Sequence, residues 1–441
     1  MPWAAENPKS MSNYSRKRKK ALGLWELIAI ALGGMVGGGI FSILGISVEQ
    51  IGNLAPVAIG IGGGLAFLAA YSYVKLALLY KDAGATYSFF KKTFPGNPAA
   101  ASAVGWLIVF GYISTLALYG FTFASYFCSQ FEYLNNPVGQ KTAAGVVIGL
   151  FALVNILSVA GMGKLEDVMV YTKVIILLFI SGLLVGKGDI QNMLPLVEAK
   201  TSWSAVFMVA AITFVAYEGF QLVINAYDEM DAPQRNTPKA IYAAIAIATF
   251  LYLLLSVSAL STIPKSQIIA DKEYALAAGA SEFLGSLGQF VVVFGALLAT
   301  SSAISGTLFG ASRLVAVIAR DGFLPQVLER KRKVHIPVYA ILLMSGMAYL
   351  LVLSGGLQII LEFGSITFIL VSLLMAYANY RKRKETQSST VMTLLAIAGL
   401  AIAGLLILYF EYTHNRSQLF YILGIYGMLA LGSYLYARWR S

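Results

Sequence analysis

The sequence has very few of the residues that most often build a metal site or a catalytic centre. Its 441 residues include 1 cysteine, Cys128, and 2 histidines, His335 and His414. A disulfide needs two cysteines, and structural or catalytic zinc sites need several cysteine or histidine ligands. So few histidines also argue against a Ser-His-Asp triad. We therefore expect no metal, no cofactor and no enzymatic activity.

Charged residues are also scarce. They make up 12% of the chain, about half the share in a soluble domain, while hydrophobic residues make up 58% and the mean hydropathy is +0.73. A soluble protein could not keep this much apolar surface away from water. The composition therefore indicates a polytopic integral membrane protein surrounded by a lipid bilayer.

Apolar stretches that could cross a hydrocarbon core of about 30 Å recur along the whole chain. They predict an all-α membrane protein with twelve transmembrane helices. The turn Ser354–Gly356 separates the ninth helix from the tenth. The predicted spans are 22–50, 54–80, 99–130, 143–161, 166–186, 203–229, 238–262, 283–319, 337–354, 357–380, 391–411 and 418–437.

The basic residues lie mainly on one side of these spans. Arg16–Lys20 precedes the first span, and Arg381–Lys384 lies between the tenth and eleventh, whereas the loops on the opposite side contain few basic residues. Because basic loops stay in the cytoplasm, both termini are predicted there, with residues 1–20 as a cytoplasmic arm. This bias explains most of the net charge of +11 without a nucleic-acid partner. The predicted location is the cell membrane.

The first span contains an unusual run of glycine. Five of the seven residues from Gly33 to Gly39 are glycine, which disfavours a regular helix. Irregular backbone in a membrane should face protein or an aqueous cavity. The alternative is a close helix–helix contact through small residues such as Gly33 and Gly37.

The sixth span has a matching irregularity, because Glu218, Gly219 and Gln221 fall near its middle. Interrupted helices at corresponding positions of two halves indicate the central site of a transporter. The N–H groups freed at such a break favour a carboxylate, and the freed carbonyl groups favour an ammonium group. An α-amino acid carries both groups.

Three motifs resemble the amino acid–polyamine–organocation transporter superfamily. Val36–Phe41 is similar to its first-helix pattern G-[small]-G-[IV]-F. Tyr217–Pro238 resembles its sixth helix with the acidic loop that follows, and Arg320–Pro325 resembles its R-D-G-x-L-P motif.

The resemblance implies a five-plus-five inverted repeat with broken helices 1 and 6, followed by two extra helices. The repeats would be residues 21–200 and 201–384, and residues 385–441 would hold the extra helices with a short cytoplasmic tail. The implied carboxylate donors are the N–H groups of Gly37, Gly38 and Gly39. The implied ammonium acceptors are the carbonyl groups of Met35, Val215 and Glu218. Tyr217 is either a gate beside the break or a packing residue.

Lys173 lies inside the fifth span, where an ionisable residue is a functional candidate. A long lysine side chain can instead extend to the membrane surface. The resemblance to proton-coupled members implies that its ammonium group replaces a sodium ion, with the Gly33 carbonyl and the hydroxyl groups of Ser301 and Ser302 as partners. Burial favours the neutral form of lysine, which would allow proton coupling.

Glu218 leaves the substrate class open. Its carboxylate could bind the second ammonium group of a cationic substrate, could be a protonation site, or could only bond to the broken backbone or to Gln221. The predicted function is secondary active import of amino acids by proton symport with alternating access. The alternatives are a carrier or exchanger of cationic amino acids or polyamines, and a membrane nutrient receptor without transport.

Overall fold

The computed structural model describes residues 22–82, 84–157, 162–197, 201–271, 274–330 and 336–440. The predicted cytoplasmic arm, 1–20, lies outside these residues. Helices joined by short turns make up most of the described chain. The α-helices are α1 (Leu24–Met35), α2 (Gly39–Ile51), α3 (Ala55–Tyr80), α4 (Ala85–Thr93), α5 (Pro98–Cys128), α6 (Pro137–Leu157), α7 (Met162–Lys187), α8 (Trp203–Thr213), α9 (Pro233–Thr262), α10 (Lys265–Asp271), α11 (Ala275–Arg320), α12 (Val338–Ser354), α13 (Leu357–Arg381), α14 (Thr390–His414) and α15 (Arg416–Arg440).

Within the described residues, 10 helical segments are long and apolar enough to cross a membrane, and α1 and α12 are shorter apolar helices. The chain is therefore a multi-pass, all-helical membrane protein. The ten segments are Gly39–Tyr80, Pro98–Cys128, Pro137–Leu157, Val168–Lys187, Trp203–Glu229, Pro233–Thr262, Gly285–Arg320, Leu357–Arg381, Thr390–His414 and Arg416–Tyr436.

Local sequence explains several helix boundaries. Pro98 stands at the first position of α5 and Pro233 at the first position of α9, where a missing N–H group costs nothing. The side chains of Asn97, Ser202 and Ser389 cap α5, α8 and α14 by accepting a backbone N–H group. These caps fix where each apolar helix begins.

Contacts between loops occur at both ends of the bundle. Each group of loops lies at one end, and its members contact each other there. At one end Lys91, after α3, pairs with Asp321 at 2.9 Å after α11. At the same end Leu22 forms backbone bonds of 2.9 Å with the segment after residue 228. At the other end the Lys141 ammonium group donates to the Leu353 carbonyl at 3.0 Å. The loops after α3 and α11 and the segment before α9 thus lie at one end, and the start of α6 and the end of α12 lie at the other.

The Arg320–Pro325 motif belongs to the first of these ends. The Tyr87 hydroxyl of α4 donates to Asp321 at 2.9 Å, and the Trp106 indole of α5 donates to the Phe323 carbonyl at 2.8 Å. The motif therefore attaches the end of α11 to α4 and α5, which is a structural role.

The segment Trp203–Glu229 lies at the centre of the bundle. Its most apolar stretch is 94% buried inside the protein, compared with 22% for Arg416–Tyr436 of α15. Backbone irregularities at membrane depth are tolerated in such a protein-enclosed position. The central segment is also where the helix is interrupted.

Gly219 should tolerate no side chain. Its φ of +126° is unfavourable for other residues, and a Cβ atom would lie 2.5 Å from the Gly34 carbonyl carbon. We expect Gly219→Ala to destabilise the protein by at least about 2 kcal/mol. Thermal unfolding in detergent measures this effect.

The control is Gly149→Ala in α6, where a Cβ atom meets nothing within 4 Å. Alanine is the better helix former, so this variant should be at least as stable as the wild type. Equal melting temperatures for the two variants would contradict the close approach at Gly219.

Candidate functional site at two helix breaks

The predicted interruption of the first helix is present. α1 ends at Met35 and α2 begins at Gly39, while Val36 between them has a non-helical ψ of 73°. At the start of α2, the first N–H groups have no acceptor within the helix. Gly38 and Gly39 therefore present the anion-favouring end of α2 to the interior of the protein.

The sixth helix is also interrupted. α8 ends at Thr213 and continues as a 3-10 turn, Phe214–Tyr217, before Glu218 becomes extended and Gly219 takes a positive φ. A second 3-10 segment, Phe220–Glu229, follows. The break thus lies where the sequence places polar residues in an apolar span.

The two breaks lie against each other. A Cβ atom on Gly34 would be 2.9 Å from the Gly219 Cα atom, and one on Gly39 would be 3.1 Å from the Ala216 Cα atom. Glycine allows these two backbones to touch. The glycine run therefore provides both the interruption and the space for the second broken helix.

The carbonyl groups at the end of α1 accept hydrogen bonds from three other helices. The Gly33 carbonyl accepts from Lys173 of α7 at 3.2 Å, and the Gly34 carbonyl accepts from Tyr119 of α5 at 2.6 Å. The Met35 carbonyl accepts from Tyr252 of α9 at 2.7 Å. These are groups that the end of a helix leaves without intrahelical partners.

Tyr119 and Tyr252 were not predicted from the sequence. The Tyr252 hydroxyl also contacts the Ala216 carbonyl at 3.0 Å, so one side chain joins the two breaks. Both tyrosines are buried in apolar helices. Their presence in apolar spans could have indicated a role, because a buried tyrosine hydroxyl generally requires a polar partner.

Lys173 is completely buried, so its side chain does not extend to the membrane surface. Its ammonium group donates to the Ser302 hydroxyl at 2.7 Å as well as to Gly33. Ser302 in turn donates to the Ala299 carbonyl at 3.1 Å. Lys173 therefore connects α7 to both α1 and α11. Of the two predicted serine partners, Ser302 forms the bond to Lys173. The neighbouring Ser301 lies on the same helix and is 9% exposed.

Glu218 is buried beside the second break and is 2% exposed. Its Oε2 atom accepts from Gln221 Nε2 at 2.6 Å, while Gln221 Oε1 accepts from the Gly219 N–H group at 3.1 Å. No hydrogen-bond donor reaches Glu218 Oε1 from the side chains that the structure describes. The Oε2 atom is thus connected to the break through Gln221, whereas the Oε1 atom has no donor among the described side chains.

Two further predicted residues have partners within the protein. The Tyr217 hydroxyl donates to the Ile59 carbonyl of α3 at 2.9 Å, and its ring lies 5.3 Å from that of Tyr252. The Val215 carbonyl accepts from the Glu218 N–H group at 3.2 Å. Tyr217 therefore packs across the break and also holds it against α3.

Side chains of α5 fill the space beside the glycines. A Cβ atom on Gly37 would lie 2.6 Å from the Tyr119 ring, and one on Gly38 would lie 2.6 Å from the Thr122 hydroxyl oxygen. Thr122 also shares a hydrogen bond of 2.8 Å with Ser42 of α2. In this conformation the two breaks are closely packed.

A cavity of about 330 Å³ opens at the bundle end that contains the Arg320–Pro325 motif. Asp82, Asn225, Asp228, Arg313 and Glu329 contribute to its lining. Burial raises the pKa of Asp82, but hydrogen bonds from Lys92, the Gly84 N–H group and Ser88 outweigh it and hold the pKa below its ordinary value. The cavity therefore has a charged rim at that face.

The described helices thus form a membrane bundle in which two broken helices touch and a buried lysine lies beside one of the breaks. The chain belongs to the amino acid permease family, whose sequence model matches residues 22–432. The predicted superfamily resemblance is therefore confirmed, and the family consists of transporters rather than enzymes.

Relatives cover most of the chain. It is 29% identical over 406 residues to protein MJ0609 of Methanocaldococcus jannaschii, with 90% of this chain and 91% of that protein aligned. It is 31% identical to the inner membrane transport protein YbaT of Escherichia coli, over 73% and 74% of the two chains. It is 26% identical to the branched-chain amino acid permease BcaP of Bacillus subtilis, over 72% and 70%.

Gly38 should be essential for substrate binding. Because a side chain there meets Thr122 and blocks the start of α2, we expect Gly38→Leu to fold but to show no substrate-dependent rise in melting temperature. Gly38→Ala should be milder, since the added group is small.

The control is Gly64→Leu in α3, where a Cβ atom meets nothing within 4 Å and the residue is exposed. This variant should keep the wild-type response to substrate. If substrate still raised the melting temperature of Gly38→Leu as it does that of the wild type, the substrate would not bind at the glycine break.

Proposed function

We propose that this permease imports amino acids by proton symport, with alternating access to a site between the two helix breaks. The proposal is based on the position of Lys173. This lysine is fully buried, and its ammonium group contacts the end of α1 and Ser302 of α11. A buried charge is costly in a membrane protein unless it has partners and a function. At this position the charge connects moving parts of a transporter.

We further propose twelve spans in the cell membrane with both termini in the cytoplasm. α1 and α2 together form the first span, and α12 forms the ninth. Twelve crossings are an even number, which puts both termini on one side, and the basic loops favour the cytoplasm for the end that contains the Arg320–Pro325 motif. Residues 21–200 and 201–384 are then the inverted repeats, and residues 385–441 are the two extra spans with the tail.

The substrate carboxylate binds the N–H groups of Gly37, Gly38 and Gly39 in this proposal. The substrate ammonium group binds the carbonyl groups of Met35, Val215 and Glu218, in place of some of the internal donors that they have here. The contact between the two breaks supports this arrangement, because it places the backbone of Gly39 against that of Ala216, next to Val215.

Proton coupling follows from the two states of Lys173. When it is protonated, its charge attracts the Gly33 carbonyl and the Ser302 hydroxyl and holds α7 against α1 and α11. When it is neutral, these attractions weaken and the helices can separate. The site that a sodium ion would fill is thus occupied by an ammonium group, with Ser301 beside it, and sodium has no role.

Lys173→Ala should abolish proton-driven accumulation. In proteoliposomes assayed from about pH 5 to about pH 9, wild-type uptake should fall as the pH rises and should not respond to sodium. The alanine variant should show little dependence on pH, because it has no proton to exchange at this position. Radiolabelled uptake from a panel of amino acids, with and without a pH gradient, measures both effects.

The matched control is Lys187→Ala, which removes an exposed lysine at the end of the same helix. It should retain the wild-type profile. Undiminished proton-driven accumulation by Lys173→Ala, or strict sodium dependence of the wild type, would refute the proposed coupling.

A second candidate function is transport or exchange of cationic amino acids or polyamines. The observation in its favour is the buried Glu218 Oε1 atom, which no donor reaches among the described side chains. A second ammonium group on the substrate would supply that donor. In that case Glu218 is the residue that selects the substrate side chain.

Glu218→Gln separates these candidates. If Glu218 binds a substrate cation, the change should weaken lysine-like or polyamine substrates roughly 10- to 100-fold and spare neutral ones. Competition of each substrate against a common radiolabelled amino acid gives the two affinities. Equal losses for neutral and cationic substrates would rule out cation recognition by Glu218.

A further inference from the structure

Two buried glutamates meet outside the substrate site. Glu362 of α13 and Glu411 of α14 are both completely buried, and their carboxyl groups lie within hydrogen-bonding reach of each other. Two negative charges this close in an apolar region would repel each other strongly. The pair therefore requires a compensating positive charge or a proton.

The hydrogen-bond donors around the pair are distributed unequally. Glu362 Oε1 accepts from Gln358 Nε2 at 2.7 Å, and Glu362 Oε2 accepts from Gln418 Nε2. Among the side chains that the structure describes, no donor reaches either oxygen of Glu411. Glu362 thus has the environment of an ionised carboxylate, and Glu411 has that of a neutral carboxylic acid that must supply its own proton.

We propose that Glu411 and Glu362 form a proton-binding site. Glu411 carries a single proton, and its carboxyl group donates a hydrogen bond to the ionised Glu362 carboxylate. This site is separate from Lys173, and it joins α13 to α14, while Gln418 adds α15. Two amide donors stabilise the ionised member, and the shared proton removes the second charge.

An open cavity lies beside the pair. It has a volume of about 460 Å³ and is lined by residues 413–418, including Gln418, whose amide group also contacts Glu362. The neighbouring helix α8 and the first half of α3 contain no ionisable residue. His414 interacts with Glu411. The other titratable groups on the elements packed around the pair include Tyr112, Tyr119, Tyr126, Tyr217, Tyr409, Tyr412, Arg416, Tyr421 and Tyr426.

The proton site is connected to the central break through α13. One turn after Glu362, the Ser365 hydroxyl donates to the Ile212 carbonyl of α8 at 2.7 Å, just before that helix is interrupted. Loss of the shared proton would leave two buried negative charges that push α13 and α14 apart. The proton on this pair therefore stabilises the packing of α13 behind the break.

The test is infrared spectroscopy of the purified full-length protein in detergent across about pH 5 to about pH 9. The wild type should show a protonated-carboxyl band that disappears as the pH rises. Recorded in a Glu218→Gln background, which removes the other buried carboxyl group near the centre, Glu411→Gln should lack this band, because its amide group supplies the donor and the remaining Glu362 stays ionised. Glu132→Gln, at an exposed position after α5, should keep the wild-type band.

Glu362→Gln gives an independent test if Glu411→Gln does not fold. It removes the neighbouring negative charge, so the remaining carboxyl group should lose its proton at a lower pH than the wild-type pair. A wild-type band that persists with unchanged titration in either variant, or a wild type without the band, would overturn the proposal.

Discussion

α1 ends in the middle of the protein, and the carbonyl groups that it leaves there require hydrogen-bond donors. Water or lipid cannot satisfy them at that depth, so the donors come from side chains of neighbouring helices. Lys173, Tyr119 and Tyr252 supply them from α7, α5 and α9. The packing of these helices around the first break follows from this requirement, and Tyr252 extends it to the second break through Ala216.

The three donors differ in one respect that matters for function. A tyrosine hydroxyl stays protonated near neutral pH, whereas a buried ammonium group is held in its charged form only by its partners. In the proposed mechanism, Lys173 is therefore the donor whose bond to α1 a proton controls. Its second bond, to Ser302 of α11, extends this control to a contact between helices of different proposed repeats. One protonation event would then alter both sides of the proposed substrate site.

Much of this arrangement could be predicted from local sequence. The glycine run and the polar residues at 218–221 indicated both breaks, because each disrupts an apolar helix where it stands. Lys173 was recognisable as an intramembrane charge, and the resemblance implied its partners, although the choice of Ser302 for the bond depends on the rotation of α11. Tyr252 and the Glu362–Glu411 pair could not be predicted. Their contacts join residues 36 or more positions apart, so they depend on how whole helices pack.

In the proposed mechanism a proton crosses the membrane together with each amino acid, because Lys173 must be recharged in every cycle. The most direct test records substrate entry and internal pH at the same time in sealed proteoliposomes without an imposed pH gradient. Proton symport predicts that the interior becomes more acidic in proportion to the amino acid that enters, and that sodium does not alter this ratio. Substrate entry without acidification would contradict it.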